Sequence, residues 1–180
     1  MTKYIALLRG VNVGGKNKIA MPELKAAFLR HGFQNVISYI NSGNILFDSE
    51  LALQAAKSAC ESIIETNFGL KITVGIIPAA DLVEALKHAP DWWNSGKASK
   101  HNAIFVILPA TAAEVVASVG EGKQGYERVA YHGNVIFWSA PIGTFSRTRW
   151  SKVVENKAVY HLITIRSANT AQRLAALAEG

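Results

Sequence analysis

The chain has 180 residues, 49% of them hydrophobic, which is enough for one ordinary domain or two small ones. A lone cysteine, Cys60, excludes an internal disulfide and a cysteine-rich zinc site. The longest apolar runs are too short to cross a bilayer, and Arg9 and Gly10 interrupt the apolar N-terminus before a signal peptide is complete. We therefore expect a soluble cytoplasmic protein with no metal, no cofactor and no membrane partner.

The formal net charge of +6 is concentrated toward the two ends of the chain. Residues 1–50 carry six Lys or Arg against three Asp or Glu, whereas residues 51–100 carry five of each. A basic excess of this kind attracts nucleic acid, phosphorylated metabolites or anionic surfaces. The alternative is that the charge serves only to keep the protein soluble.

The first half of the chain has the pattern β-α-β-β-α-β, followed by one more helix. Short apolar runs bounded by turn residues predict strands at 4–8, 36–40, 44–47 and 71–77. Pro22 marks the start of the first helix and Gly32 its end, with Phe33 placed to contact Phe28. Ser49 is predicted to cap a second helix over residues 50–66, and a third helix over 79–88 ends before Pro90.

The second half repeats this order. Strands are predicted at 103–108, 126–131, 134–138 and 160–165. The first helix begins at a capping box formed by Thr111 and Glu114 and ends at Gly120. Ser146 is predicted to cap a helix over residues 146–155, and Ser167 a last helix reaching residue 178.

A short repeat supports an internal duplication. The sequence GNILF at residues 43–47 matches GNVIF at residues 133–137, and both stand at the start of the third strand of their half. We therefore predict an α+β protein of two tandem ferredoxin-like (βαββαβ) subdomains, each followed by an additional helix. The predicted first subdomain spans residues 1–90, a connector 91–101, and the second subdomain 102–180.

The connection after the first strand is a glycine-rich, basic loop over residues 10–21. In the second half only residues 109–111 make the equivalent connection, so the long loop is an addition to the basic unit. Gly10, Gly15 and Lys16 have the spacing of a phosphate-binding P-loop, but Asn17 stands where that motif needs Ser or Thr. The helix also begins several residues too late. Two interpretations remain. The loop is either a looser anion site, built from Gly14, Gly15 and its basic side chains, or a plain surface loop.

Two further segments are candidates for the same chemistry. The composition of residues 41–44 is that of an ordinary turn. Ser42 and Asn44 would also supply hydrogen-bond donors beside the loop if strands one and three are neighbours. Arg147 and Arg149 would oppose the dipole of a helix starting at Ser146, which a bound anion or a later helix start would explain. The predicted ligand-binding residues are Arg9, Asn12, Gly14, Gly15, Lys16, Asn17, Lys18, Ser42, Asn44, Arg147, Arg149 and Arg166.

Four segments resemble the bacterial family called domain of unknown function 1697, and the likeness covers nearly the whole chain. They are LLRGVNVGGKNKIAM at 7–21, SYINSGNILF at 38–47, SRTRW at 146–150 and TIRSANTAQRL at 164–174. The resemblance implies a fold similar to paired ferredoxin-like subdomains. It implies no activity, since the family has no established one.

Three functions therefore stay open at this stage. The first is binding of a phosphate-bearing ligand, with nucleic acid the first candidate, although the strands lack the aromatic signature of the RRM. The second is a small enzyme that acts on an anionic metabolite positioned by Arg9 and by Lys16 or Lys18. The third is a module whose basic loop binds an acidic protein partner. Oligomeric state has no signal in the sequence.

Overall fold

The computed structural model describes residues 1–180, which form two compact units. Unit 1 comprises Met1–Asp81 with Leu177–Gly180, and unit 2 comprises Leu82–Ala176. The chain is mixed α and β, with one four-stranded antiparallel sheet in each unit. This confirms the predicted α+β class and its division into two tandem sheets.

The first half contains four strands and three helices in the predicted order. They are β1 (Thr2–Leu8), α1 (Met21–Arg30), β2 (Gln34–Tyr39), β3 (Asn44–Ser49), α2 (Leu53–Phe68), β4 (Val74–Pro78) and α3 (Ala79–Lys87). The strand order across the sheet is β2-β3-β1-β4, so β1 pairs with both β3 and β4. Strands one and three are therefore neighbours.

One face of this sheet packs against α1 and α2. Tyr4 and Leu8 of β1 point to that face, as the two-residue period of a strand requires, and lie in one core with Phe28 of α1. Cys60 of α2 lies in the same core with no exposed surface, as its spacing predicts. Burial, and then the neighbouring Glu61 carboxylate, raise the pKa of the Cys60 thiol above its usual range.

The helix ends follow local rules at one position and depart from them at another. Phe33 donates its backbone N–H to the carbonyl of Phe28, and their rings lie 5.5 Å apart edge to face, which confirms the predicted ending of α1. The prediction that Ser49 caps α2 is wrong. Its hydroxyl accepts from the backbone N–H of Leu51, and the helix begins three residues later than predicted, at Leu53. This local bond holds residues 49–51 in a turn.

The second half contains four strands and three α-helices. They are β5 (Ser99–Val106), α4 (Ala112–Val119), β6 (Arg128–His132), β7 (Val135–Pro141), α5 (Lys157–Tyr160), β8 (Ile163–Ser167) and α6 (Ala168–Glu179). The strand order is β6-β7-β5-β8, the same order by position as in the first sheet. The capping box of α4 is confirmed, because Thr111 and Glu114 each accept from the other's backbone N–H.

The predicted helix over residues 146–155 is wrong. Two short 3₁₀ segments, Ile142–Arg147 and Trp150–Val154, stand there, separated by an extended Thr148. The carboxylate of Glu127, which lies far away in sequence, accepts from the backbone N–H groups of Arg149 and Trp150. This tertiary bond satisfies two N–H groups outside any α-helix, so the dipole argument for a bound anion no longer applies at this place.

Candidate functional site

The glycine-rich loop begins where β1 leaves the sheet. The backbone N–H of Leu8 donates to the Gly43 carbonyl at 2.9 Å, and that of Arg9 to the Thr73 carbonyl at 3.2 Å. The loop then folds into a small hairpin, closed by bonds from the N–H of Asn12 to the Asn17 carbonyl and from Lys16 to the Val13 carbonyl. The loop is therefore an ordered structure with backbone bonds of its own.

The tip of this hairpin is the turn over residues 13–16. Gly14 and Gly15 have φ values of 59° and 75°, a left-handed pair that two-residue turns require and that glycine adopts without strain. Their backbone N–H groups donate to no acceptor in the protein, and both residues are exposed. Val13 is 63% exposed beside them. The turn thus presents two N–H donors and an apolar side chain to solvent.

Asn12 holds the base of the loop. Its Nδ2 donates to the Ile19 carbonyl at 2.9 Å and to the Asn41 carbonyl at 2.7 Å, and its Oδ1 accepts from the Ile19 N–H at 2.9 Å. Asn17 adds a bond from Nδ2 to the Gly10 carbonyl at 3.0 Å. Both asparagines were predicted as ligand contacts, and the structure places their amides in the framework of the loop.

Buried apolar residues close the loop at both ends. Val11 and Ile19 are almost fully buried and belong to the core of unit 1. Since Asn12 joins Ile19 to Asn41, the loop and the 41–44 turn lie side by side. The predicted proximity of the loop and the 41–44 turn required the first and third strands to be neighbours, and β1 and β3 do pair.

The 41–44 turn is packed tightly beneath the loop. Asn44 is fully buried and donates from Nδ2 to the Tyr39 carbonyl and to Ser42 Oγ, both at 3.0 Å. Gly43 has φ +84° and lies so close to Leu8 that a Cβ there would stand 2.8 Å from the Leu8 Cβ. Ser42 is half-buried. Asn44 therefore positions Ser42, while Ser42 keeps some accessible surface.

A pocket of about 410 Å³ opens between the loop and the start of α1. Its lining residues are Asn12, Gly15, Lys18, Ile19, Ala20 and Asn41. Ala20 precedes α1 and offers no side-chain cap to the first N–H groups of that helix. Lys16 and Lys18 are exposed and form no ion pair. Glu23 is the one acidic residue between Arg9 and Phe47, so the local charge is positive.

The three predicted arginines of unit 2 do not form a cluster. Arg147 lies over the Tyr126 ring at 5.8 Å, and Arg149 donates from Nη1 to the Glu121 carbonyl at 2.6 Å, near the start of β6. Arg166 lies in β8 and donates to Thr164 Oγ1 at 3.0 Å. Strands β6 and β8 are the opposite edges of the sheet, about 14 Å apart by strand spacing.

Arg166 is the most enclosed of these arginines. Burial lowers the pKa of its guanidinium to about 10, against a smaller opposing effect of Tyr160. The group is still charged at neutral pH, because a base with that pKa is protonated there.

One polar pair of unit 2 escaped sequence analysis. His101 of β5 lies directly opposite Ser139 of β7, and His101 Nδ1 is 2.6 Å from Ser139 Oγ. The polar start of β5 was predicted to be connector, which hid the pairing.

No group of three or more His, Cys, Asp or Glu side chains is arranged to hold a metal ion.

Comparison with known proteins places the chain in a family. A family model described as "Protein of unknown function (DUF1697)" matches residues 1–137. The chain belongs to the DUF1697 family. Among solved structures, the conserved bacterial protein SP0830 from Streptococcus pneumoniae is similar, with 30% identity and a TM-score of 0.85 over 98% of both chains. No curated protein matches this DUF1697 chain. None of its helices has the length and apolar character needed to span a membrane.

Proposed function

We propose that this DUF1697 protein binds a phosphate-bearing ligand through the loop of unit 1, with nucleic acid the first candidate. The observation that carries the proposal is the exposed turn at residues 13–16. Gly14 and Gly15 present backbone N–H groups without acceptors, and Lys16 and Lys18 beside them lack acidic partners. Convergent N–H groups with nearby cations are the usual means of holding phosphate oxygens.

The surroundings of the turn support the same ligand. Lys18 lines the 410 Å³ pocket, and Ala20 places the start of α1, with its uncapped N–H groups, at the edge of that pocket. A helix N-terminus favours negative charge. Arg9 and Ser42 flank the loop, where they supply a cation and a hydroxyl. Val13 at the tip offers apolar surface to a base or sugar.

The assignment of both units to the ferredoxin-like fold is part of the proposal. The β-α-β-β-α-β element order and the central positions of β1 and β5 support assigning both units to the ferredoxin-like fold. In unit 2 the second helix of that pattern is replaced by short segments. A cytoplasmic setting, where nucleic acids and phosphorylated metabolites are abundant, is part of the proposal.

The test is fluorescence anisotropy of labelled single- and double-stranded DNA and RNA at low and near-physiological salt. We expect micromolar or tighter binding that weakens with salt. The Lys16→Ala/Lys18→Ala protein should bind more weakly, with a salt slope smaller by about two, one for each lost cation. The control is Lys71→Ala/Lys87→Ala, which removes the same charge from exposed positions outside the loop.

Three outcomes contradict the proposal at different levels. If the control weakens binding as much as the loop variant, the attraction is general and the loop is not the contact. If no nucleic acid binds at low salt, a thermal-shift screen with phosphorylated metabolites and with acidic peptides decides between the remaining ligands. A loop variant that changes none of these interactions would reject the loop as a binding site.

A further inference from the structure

The second candidate site lies in unit 2, on the sheet face turned away from α4. Residues alternate between the two faces of a strand. Ile104, Ile136 and Trp138 lie in the core with α4, so His101 and Ser139, an odd number of residues away from these, lie on the other face. The two side chains are directly opposite each other on adjacent strands, which brings Ser139 Oγ within 2.6 Å of His101 Nδ1.

The hydrogen bonds of His101 determine which nitrogen carries the proton. His101 Nε2 lies 3.1 Å from the Gly96 carbonyl oxygen, which only accepts hydrogen bonds. A neutral imidazole therefore has its proton on Nε2 and a lone pair on Nδ1. That lone pair accepts the hydroxyl proton of Ser139. A serine is activated as a nucleophile when it is hydrogen-bonded to a base and that base is oriented by a third group.

The pair opens onto a pocket of about 550 Å³. Ser139 is 6% exposed and His101 half-buried, and both line the pocket with Trp92, Tyr126 and Arg128. The pocket has room for a small molecule beside Ser139.

The charge of the pocket selects the substrate class. Arg128 is exposed and forms no ion pair. Glu127, the acidic residue in the lining, is 6% exposed and its carboxylate is held by the backbone N–H groups of Arg149 and Trp150. Lys97 lines the adjoining pocket on the other side of His101. The titratable and charged groups that line the two pockets are Tyr126, Glu127, Arg128 and Lys97. Arg166 of β8 lies opposite Ala103 on the same face of the sheet as His101, so the balance of charge is positive.

We infer that Ser139 and His101 form a nucleophile and base that hydrolyse carboxylic esters bearing a negative charge. Ser139 Oγ attacks the acyl carbon while its proton passes to His101 Nδ1. The ester C–O bond breaks, and the leaving alcohol takes that proton. Water then attacks the acyl carbon and gives its proton to Nδ1, the bond to Oγ breaks, and Oγ recovers the proton. Arg128 binds the negative group of the substrate.

The first experiment labels the protein with a fluorophosphonate, which forms a bond to an activated serine oxygen and releases fluoride. We expect one adduct in the intact mass, mapped by peptide sequencing to Ser139. The adduct is mapped on the wild-type protein, so the identification of the labelled residue does not depend on whether Ser139→Ala folds.

Variants separate catalysis from strand pairing. His101→Gln retains hydrogen bonding but does not take up a proton, and it should slow labelling by about 100-fold or more. Ser99→Ala is the matched control, since Ser99 lines the same pocket but makes no hydrogen bond with His101, and it should label at the wild-type rate. Arg128→Gln should lower the ratio of hydrolysis of the mono-p-nitrophenyl ester of succinic acid to that of p-nitrophenyl acetate about 10-fold, because only the succinate ester carries a negative group for Arg128 to bind.

Three results overturn the inference: no adduct, an adduct on another residue, or equal labelling of wild type and His101→Gln. Any of these would mean that the pair only joins β5 to β7. Because the pair lies in unit 2 and the loop in unit 1, the outcome is independent of the phosphate-binding proposal.

Discussion

Asn12 is the residue on which the order of the glycine-rich loop depends. Its amide makes three hydrogen bonds, two with Ile19 and one with Asn41, and its backbone has φ 56°. Replacing Asn12 by alanine removes all three bonds. It also leaves in the left-handed region a residue that, unlike asparagine, has no side-chain amide to stabilise that backbone conformation. Replacing it by glycine removes the bonds and keeps that backbone free of strain.

The expected cost follows from these contacts. A protein hydrogen bond contributes about 0.5–1.5 kcal/mol, and the exposed bond to Asn41 belongs at the low end. The side chain therefore stabilises the closed loop by about 2–3 kcal/mol, or roughly 30- to 150-fold in the opening equilibrium. Alanine should cost roughly 0.5–1 kcal/mol more than glycine, after the larger entropy of glycine in the unfolded chain is subtracted.

Limited trypsin digestion measures this opening directly, since Lys16 and Lys18 are cleavage points inside the loop. Cleavage after both lysines should accelerate in both variants, and more in Asn12→Ala. Urea unfolding, monitored by tryptophan fluorescence, gives the free energy of global unfolding for comparison. If both variants are cleaved at the wild-type rate and unfold within about 0.5 kcal/mol of wild type, Asn12 does not hold the loop.

Three further outcomes test the packing. Gly43→Ala should lower stability by about 2 kcal/mol or more in urea unfolding, because its Cβ meets Leu8 at 2.8 Å and φ is +84°; Gly69→Ala, with φ +67° and open space, should show only the backbone cost. Trp150→Ala should cost about 3–5 kcal/mol, since this fully buried indole also donates to the Gly120 carbonyl, whereas Trp150→Phe should cost less. Cys60 should resist a thiol reagent in the native protein and react fully in urea, because burial raises the pKa of its thiol. Rapid native labelling would contradict that burial.

The sequence predicted the order of the elements well because most of them obey local rules. Thr111 and Glu114 form their capping box from bonds three residues apart, and the Phe28–Phe33 contact needs only one turn of chain. The glycine-rich loop was likewise recognisable by its length and composition, although the framework role of Asn12 depends on partners that fold beside it.

The errors have long-range causes. The helix expected at Ser146 is replaced because Glu127 takes up the N–H groups of Arg149 and Trp150 from another part of the chain. The His101–Ser139 pair was missed because its strand begins with the polar residues Ser99–Asn102, which carry no hydrophobic alternation. In both cases the decisive partner is far away in sequence, where periodicity and capping patterns give no information.

The loop of unit 1 separates the residues that stabilise it from the residues at its exposed tip. Val11 and Ile19 are fixed in the core and Asn12 joins the two ends, while residues 13–16 extend into solvent. Substitutions of the exposed side chains at the tip therefore leave the core intact, whereas the positive φ values of Gly14 and Gly15 favour glycine at those two positions. The side chains at positions 13 and 16 are thus free to vary, in evolution or in a library, on an unchanged scaffold.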